Sequence, residues 1–424
     1  MTDRIQAIRG VNDVLPEDIY AWQYLQSLFE KCMNDYGFQE IRIPLIENTQ
    51  LFKRTIGEIT DIVEKEMYTF NDLNGESISL RPEGTAGCVR ACLQHGLLHN
   101  QQQKLWYSGP MFRHERPQRG RYRQFNQFGV EAFGISGVGI ELEILALSQR
   151  LWHVLGVANH VQLQVNTLGE LSERQTYRNM LVDYLKPKYE LLDEDSKKRL
   201  DKNPLRILDS KNPAMQTLIA DAPKLMDVLS NDSKEHFQAL CKGLERLGID
   251  YVVNPQLVRG LDYYGHTVFE WVTDKLGSQS TICAGGRYDR LVEQLGGAPT
   301  KAIGFAMGME RLLLLMETLE LAPRKPATPL VFIMTDGDEA LLQALNLAEI
   351  LRNEVPEWQY IVNTSQGSFK NQFKRADKSG AKFALIIGGD EAKEKTISIK
   401  NMRENTEQLT IPQVEIIAFL KTVK

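Results

Sequence analysis

Residues 111 to 131, MFRHERPQRGRYRQFNQFGVE, hold five arginines and two glutamates among aromatic and apolar side chains. Read as two strands, Phe112–Arg116 and Phe125–Phe133, joined by PQRGRYR, the segment sorts its side chains by alternation. Arg113 and Glu115 share one face. Phe125, Gln127, Gly129 and Glu131 share another, and Asn126, Phe128, Val130 and Ala132 turn a mostly apolar face to a core. The polar faces form a floor, roofed by a mobile loop carrying Arg119, Arg121 and Arg123. Forked, charge-assisted guanidinium donors suit phosphate oxygens, and a ring such as Phe125 can stack on a base. Gly129, without a side chain, leaves space for something to lie between Gln127 and Glu131. A half-exposed sheet whose polar face meets water would show the same alternation, so this segment alone leaves both readings open.

Four further stations favour the anion-binding reading. LRPEGT puts Glu83 and Thr85 where a strand gives way to a helix, and LVRGLDYYGHTVFE sets Arg259 between turn formers and a tyrosine pair. CAGGRYDRLVEQL places a glycine pair before Arg287 and Tyr288. AIGFAMGMERLLLL reads as a strand, Gly308, and a helix with Arg311 in its first turn, a good anion seat. Each has a plain structural explanation as a cap, a turn or a packing glycine, but a random scaffold seldom offers all four.

Other chemistries fit poorly. GK occurs nowhere, so there is no Walker A loop, and GVGIEL at Gly137 lacks the third glycine of a dinucleotide fingerprint. The seven histidines, among them His95, His99, His114 and His266, form no HExxH or comparable ligand cluster. The five cysteines form no CxxC pair; Cys88 and Cys92, four apart on a helix, read as buried thiols in a reducing compartment. No resident metal is expected. The residues by themselves imply a polyanionic nucleotide held by an antiparallel sheet, in an enzyme.

The elements that must position these residues follow from pattern. A chain of 424 residues, 42% hydrophobic and 25% charged, can build two or three domains, and its net charge of −5 confines any nucleic-acid contact to local basic patches. The first residues lack the apolar stretch of a signal peptide and no apolar run is long enough to span a bilayer, so a cytoplasmic, soluble protein with no membrane partner is expected. Pro16 to Tyr36 predicts an amphipathic helix stopped by Gly37. FQEIRIPLIE predicts a strand, whose Pro44 marks an edge or a subunit boundary. Short strands are expected at Ser77–Arg81 and Lys104–Ser108. Close strands with few crossover helices predict an α+β core with an antiparallel sheet over residues 1–325, interrupted by a helical insertion at 171–250. LAPRKPATP at 321–329 reads as a linker, and the βαβαβ pattern of 326–424 as a separate α/β domain.

These stretches resemble class II aminoacyl-tRNA synthetases. FRHE with its loop and FNQFGVE is similar to their second signature motif, GFAMGMERL to the third, and YGFQEIRIPLIE to the dimer-forming first. LVRGLDYYGHTVFE and AGGRYD resemble the two segments peculiar to histidyl-tRNA synthetases of the bacterial type, and the likeness runs nearly end to end. Gly265 departs from the polar residue common there. The resemblance implies ATP, L-histidine and histidine tRNA as substrates, Mg²⁺ on the ATP phosphates, and a homodimer. It implies that Arg113 and Arg259 hold the α-phosphate as the catalytic pair, that Glu115 and Phe125 meet the adenine, and that Arg121 and Arg311 meet the γ-phosphate. Glu83, Thr85 and Gln127 would hold the α-ammonium group, Glu131 and Tyr264 the imidazole, and Tyr288 would line that pocket. The tail resembles an anticodon-binding domain, with five cations against Asp377 between Lys370 and Lys382. A histidine-sensing regulatory subunit of ATP phosphoribosyltransferase shares the fold, but typically lacks the tail and these arginines.

Overall fold

The computed structural model describes residues 4–423 apart from 57–59, 61, 209, 211, 259–262, 278–279, 327 and 366. The chain divides into two compact units, Met1–Arg324 and Lys325–Lys424.

The first unit is built on strands β1 (Gln39–Glu40), β5 (Gln103–Phe112), β6 (Gln124–Phe133), β7 (Gln162–Thr167), β8 (Tyr251–Val253), β9 (Gly265–Val272), β10 (Thr281–Arg287) and β11 (Ala302–Gly308). They form one sheet in the order β1-β5-β6-β11-β10-β9-β7-β8. The inner pairs are antiparallel, and only the outer pairs β1–β5 and β7–β8 are parallel. Alternation places Phe128, Val130 and Ala132 of β6 on the face covered by helices α1 (Ile19–Asp35), α4 (Gly139–Val154), α8 (Asn231–Leu247) and α10 (Met309–Thr318). Helix α1 presents Leu25, Phe29 and Cys32 at helical spacing, and Phe29 stacks on Phe128 with centroids 3.7 Å apart. Gly37, at φ +72°, lets the chain turn out of that helix.

The other face carries a second core. Here α3 (Thr85–Gln94), α5 (Leu171–Leu185), α6 (Glu194–Lys202), α7 (Gln216–Ala220) and α9 (Leu291–Gln294) join Tyr107, Tyr263, Tyr264 and Tyr288. A three-stranded sheet of β2 (Ile46–Asn48), β4 (Ser77–Leu80) and β3 (Thr69–Asn71) lies apart from the large one, and α2 (Thr49–Ile56) packs with α3.

Two expectations change. FQEIRIPLIE is not one strand: it splits into β1 and β2 around Pro44, which lacks an N–H for a ladder. Phe112–Arg116 is not a separate strand: β5 runs unbroken from Gln103 and ends at Phe112, after which the His114 N–H goes to the Glu66 carbonyl, outside the ladder. Within the expected insertion, α5, α6 and α7 pack over the second core, and α8 buries Phe237, Leu240 and Leu244 in the main core.

The second unit is a mixed sheet of β12 (Leu330–Thr335), β13 (Gln359–Val362), β14 (Phe383–Ile387), β15 (Thr396–Asn401) and β16 (Leu409–Pro412). Its order is β13-β12-β14-β15-β16, with β13, β12 and β14 parallel. Helices α11 (Asp338–Glu354), α12 (Phe369–Lys378), α13 (Gly389–Glu394) and α14 (Ile416–Thr422) cover it. Strand β14 is buried throughout, as a strand covered on both faces must be.

Candidate active site

The polar face of β6 forms the floor of a cavity of about 330 Å³. Phe125 and Gln127 line it, with Glu83, Thr85, Arg113, Glu115, Arg121, Tyr264 and Arg311 from five other parts of the chain. Gln127 brings a buried Oε1 that has no hydrogen-bond partner. Such an atom is an acceptor waiting for a donor.

Glu83 stands at the start of α3. Its carboxylate accepts the N–H groups of Thr85 at 2.7 Å and Ala86 at 2.9 Å, filling two of the free donors of a helix N-terminus. Burial raises its pKa, and these backbone donors oppose the rise. Thr85, fixed by that turn, donates its hydroxyl to Glu131 Oε1 at 2.7 Å. Glu131 also accepts the Tyr107 hydroxyl at 3.0 Å and the Tyr288 hydroxyl. Only 1% of Glu131 is exposed, and burial pushes its carboxyl up to about 8 against the pull of those donors. Glu131 and Tyr288 therefore lie beneath the cavity rather than on its wall. Tyr264, on the wall, meets Tyr288 edge to face with centroids 6.3 Å apart.

The cationic side is also built before any ligand arrives. Arg113 donates through Nε to the Pro82 carbonyl at 2.8 Å and lies 5.3 Å from the centroid of Phe125. Arg121 pairs with Glu115 at 2.5 Å, and Arg113 lies 3.9 Å from the same carboxylate. Arg311, in the first turn of α10, donates to the Thr281 carbonyl. Burial pulls its pKa down, and Arg121 nearby adds to the effect. Arg259 lies outside the described residues.

Of the three arginines in the roof loop only Arg121 lines the cavity: Arg119 is exposed, and Arg123 donates to the Glu115 carbonyl at 3.3 Å. The space above Gly129 is not open. The Tyr107 ring fills it, lying where a Cβ on Gly129 or on Gly84 would be. Sequence reading missed Tyr107 because the glycines that make its slot are far away along the chain. It also missed Glu270 and Glu310, which line the cavity. Glu310 accepts the Asn126 N–H at 2.7 Å through one oxygen, while its other oxygen is buried without a partner. Its place beside Arg311, at the start of the same helix, was the available signal.

In the second unit Lys370, Lys374, Arg375 and Lys378 are exposed on α12. The Lys382 ammonium instead bonds to the Val423 carbonyl at 3.0 Å. All five cysteines are free thiols, and no helix of the described residues is long and apolar enough to cross a membrane.

An antiparallel floor with arginines, an aromatic platform and a capped helix around one cavity defines a class II aminoacyl-tRNA synthetase catalytic domain. The chain belongs to the histidyl-tRNA synthetase family, whose family model matches residues 10–312, and an anticodon binding domain model matches residues 330–423. Histidine–tRNA ligases of Legionella pneumophila strains Philadelphia 1 and Lens are each 65% identical over 421 residues, 99% of either chain. The crystal structure of apo histidyl-tRNA synthetase from S. aureus is 37% identical, with a TM-score of 0.80 over 99% of this chain and 100% of that one. A histidyl-tRNA synthetase from Nostoc sp. PCC 7120, at 19% identity and a TM-score of 0.64 over 99% of each chain, shares the fold. The activity is histidine–tRNA ligation: L-histidine is activated with ATP and transferred to the 3′ end of histidine tRNA.

Proposed function

We propose that the cavity on β6 carries out both steps, with roles divided along its length. The histidine carboxylate attacks the α-phosphorus of ATP, an oxygen–phosphorus bond forms, and pyrophosphate leaves. The nucleophile is already an anion, so alignment and charge neutralisation do the work rather than a general base. Arg113 and Arg259 hold the α-phosphate, Phe125 and Glu115 meet the adenine, and Arg121 and Arg311 meet the γ-phosphate. Glu270 and Glu310 offer hard carboxylate oxygens, one of them buried and unpaired, a donor set that fits Mg²⁺ entering with the nucleotide. Bound there, Mg²⁺ would offset charge on the outer phosphates. In the second step the terminal ribose hydroxyl of the tRNA attacks the activated carbonyl, and AMP leaves.

Neutral imidazole has one N–H donor and one bare nitrogen. Glu131 accepts the first and Tyr264 donates to the second, while Tyr288 holds Glu131. Glu83, Thr85 and Gln127 take the α-ammonium group. The catalytic core is residues 1–325, with the insertion at 171–250, and residues 326–424 read the anticodon through the cationic face of α12. Exposed Leu45 and Ile46 beside Pro44 support a homodimer, and tRNA charging goes with a cytoplasmic location.

The convergence of Arg113, Arg121 and Arg311 with Thr85 and Gln127 on one cavity carries this reading. Its test is histidine-dependent exchange of labelled pyrophosphate into ATP, with other amino acids as controls. Exchange with histidine alone is expected; its absence from folded protein removes the assignment of the chemistry to this site.

A further inference from the structure

The acceptor capacity of Glu131 is nearly filled. A carboxylate has about four lone-pair sites. Thr85 and Tyr107 occupy the two on Oε1, at 2.7 and 3.0 Å, and Tyr288 occupies one on Oε2. One site is left, on Oε2. That oxygen lies against Gly304, directly across the β6–β11 ladder, where a Cβ would fall on Oε2 itself. Gly304 is also part of the cavity wall. On the other flank Tyr107, the cross-strand partner of Gly129, reaches Oε1 because Gly129 and Gly84 leave room for its ring.

We propose that Tyr107 and Gly304 are positioning residues that set histidine specificity: Tyr107 closes the second acceptor site of Oε1, and Gly304, with no side chain, lets Oε2 lie directly behind the cavity wall with one site open. The inference rests on Glu131 as the imidazole partner. Selection is then by count as well as by shape. A neutral imidazole brings one N–H to that edge of the site. A guanidinium or a side-chain amide brings donors with no acceptor to meet them, and an apolar side chain leaves a buried acceptor unpaired.

Among the described residues, the ionisable groups facing Glu131 are Glu83 ahead of α3, Cys88 and Cys92 on α3, Tyr107 on β5, Tyr263 just ahead of β9 and Tyr288 just after β10. Of these, Tyr107 and Tyr288 donate to the carboxylate, and such donors favour its ionised form.

The experiment uses the full chain and measures KM for histidine and for ATP in pyrophosphate exchange, with the pH profile of kcat/KM for histidine, on Tyr107→Phe, Gly304→Ala and Glu131→Gln. Tyr107→Phe keeps the ring and removes only the donor. It is expected to raise KM for histidine about tenfold or more, the worth of one hydrogen bond to a charged group. KM for ATP should not change, and the acid limb of the profile should move to higher pH. Gly304→Ala is expected to raise KM for histidine further at unchanged KM for ATP; if that chain fails to fold, Tyr107→Phe decides alone. An unchanged histidine KM and acid limb in Tyr107→Phe overturns the inference, as does an equal rise in both KM values with no movement of the limb. The Glu131 reading survives both outcomes so long as Glu131→Gln loses histidine. A normal histidine KM in Glu131→Gln removes that reading, and this inference with it.

Discussion

The Arg113 guanidinium is held from two sides, by the Pro82 carbonyl at 2.8 Å and by the Phe125 ring at 5.3 Å. It is oriented before a nucleotide arrives, and no reorganisation is needed when charge develops on the α-phosphate. Arg113→Ala is expected to slow adenylate formation by about 2.7–4 kcal/mol of barrier, the usual cost of removing one positioned donor. Single-turnover pyrophosphate release measures it, and a near-normal rate would refute the role. Arg113→Lys keeps the charge but loses the fork and the stacking, so it should recover little.

The protonation of Glu131 links the site to stability. Its ordinary value is 4.5, and burial pushes it to about 8 in the folded chain. Between those values the folded protein holds a proton that the unfolded chain has released. The stabilising contribution is complete below 4.5 and is lost as pH rises through about 8. Glu131→Gln should therefore flatten the fall of Tm across that window. Parallel melting curves for parent and variant would show that the group does not titrate there.

Gly84 and Gly129 share the task of seating Tyr107. Gly84→Ala should overpack that ring and cost about 1–3 kcal/mol in denaturant unfolding. Adding Tyr107→Leu, which removes the ring, should recover part of the loss, and strict additivity of the two changes would argue against the contact.

The second unit has its own core, centred on Val331, Ile333, Leu385 and Ile387. Removal of residues 326–424 is expected to impair tRNA charging far more than histidine-dependent exchange. An equal fall in both would make the tail a structural support rather than a reader of tRNA.

Much of the site was legible because its residues sit in short segments with local signals. Alternation along β6 separated Phe125 and Gln127 from Phe128 and Val130, since strand geometry has a fixed period of two. Arg311 was legible from the strand, Gly308 and the helix that follows. Tyr107 was not, because a tyrosine in the strand KLWYSGP looks the same whether it packs on a core or hydrogen-bonds a carboxylate. Glu83 illustrates a different limit: its place before a helix was plain, but its two oxygens turn out to be engaged by the Thr85 and Ala86 N–H groups.

The sequence by itself determined the layout of elements, the two-unit division of pattern near residue 325, and the cationic and aromatic residues of the floor, because period, turn chemistry and charge are local properties. Only the tertiary structure decided that Glu131 lies beneath the cavity with Tyr107, Thr85 and Tyr288 on its oxygens, and that the space over Gly129 is full. Those facts depend on which strand pairs with which and on what register, and pairing between distant segments leaves no mark on either segment alone.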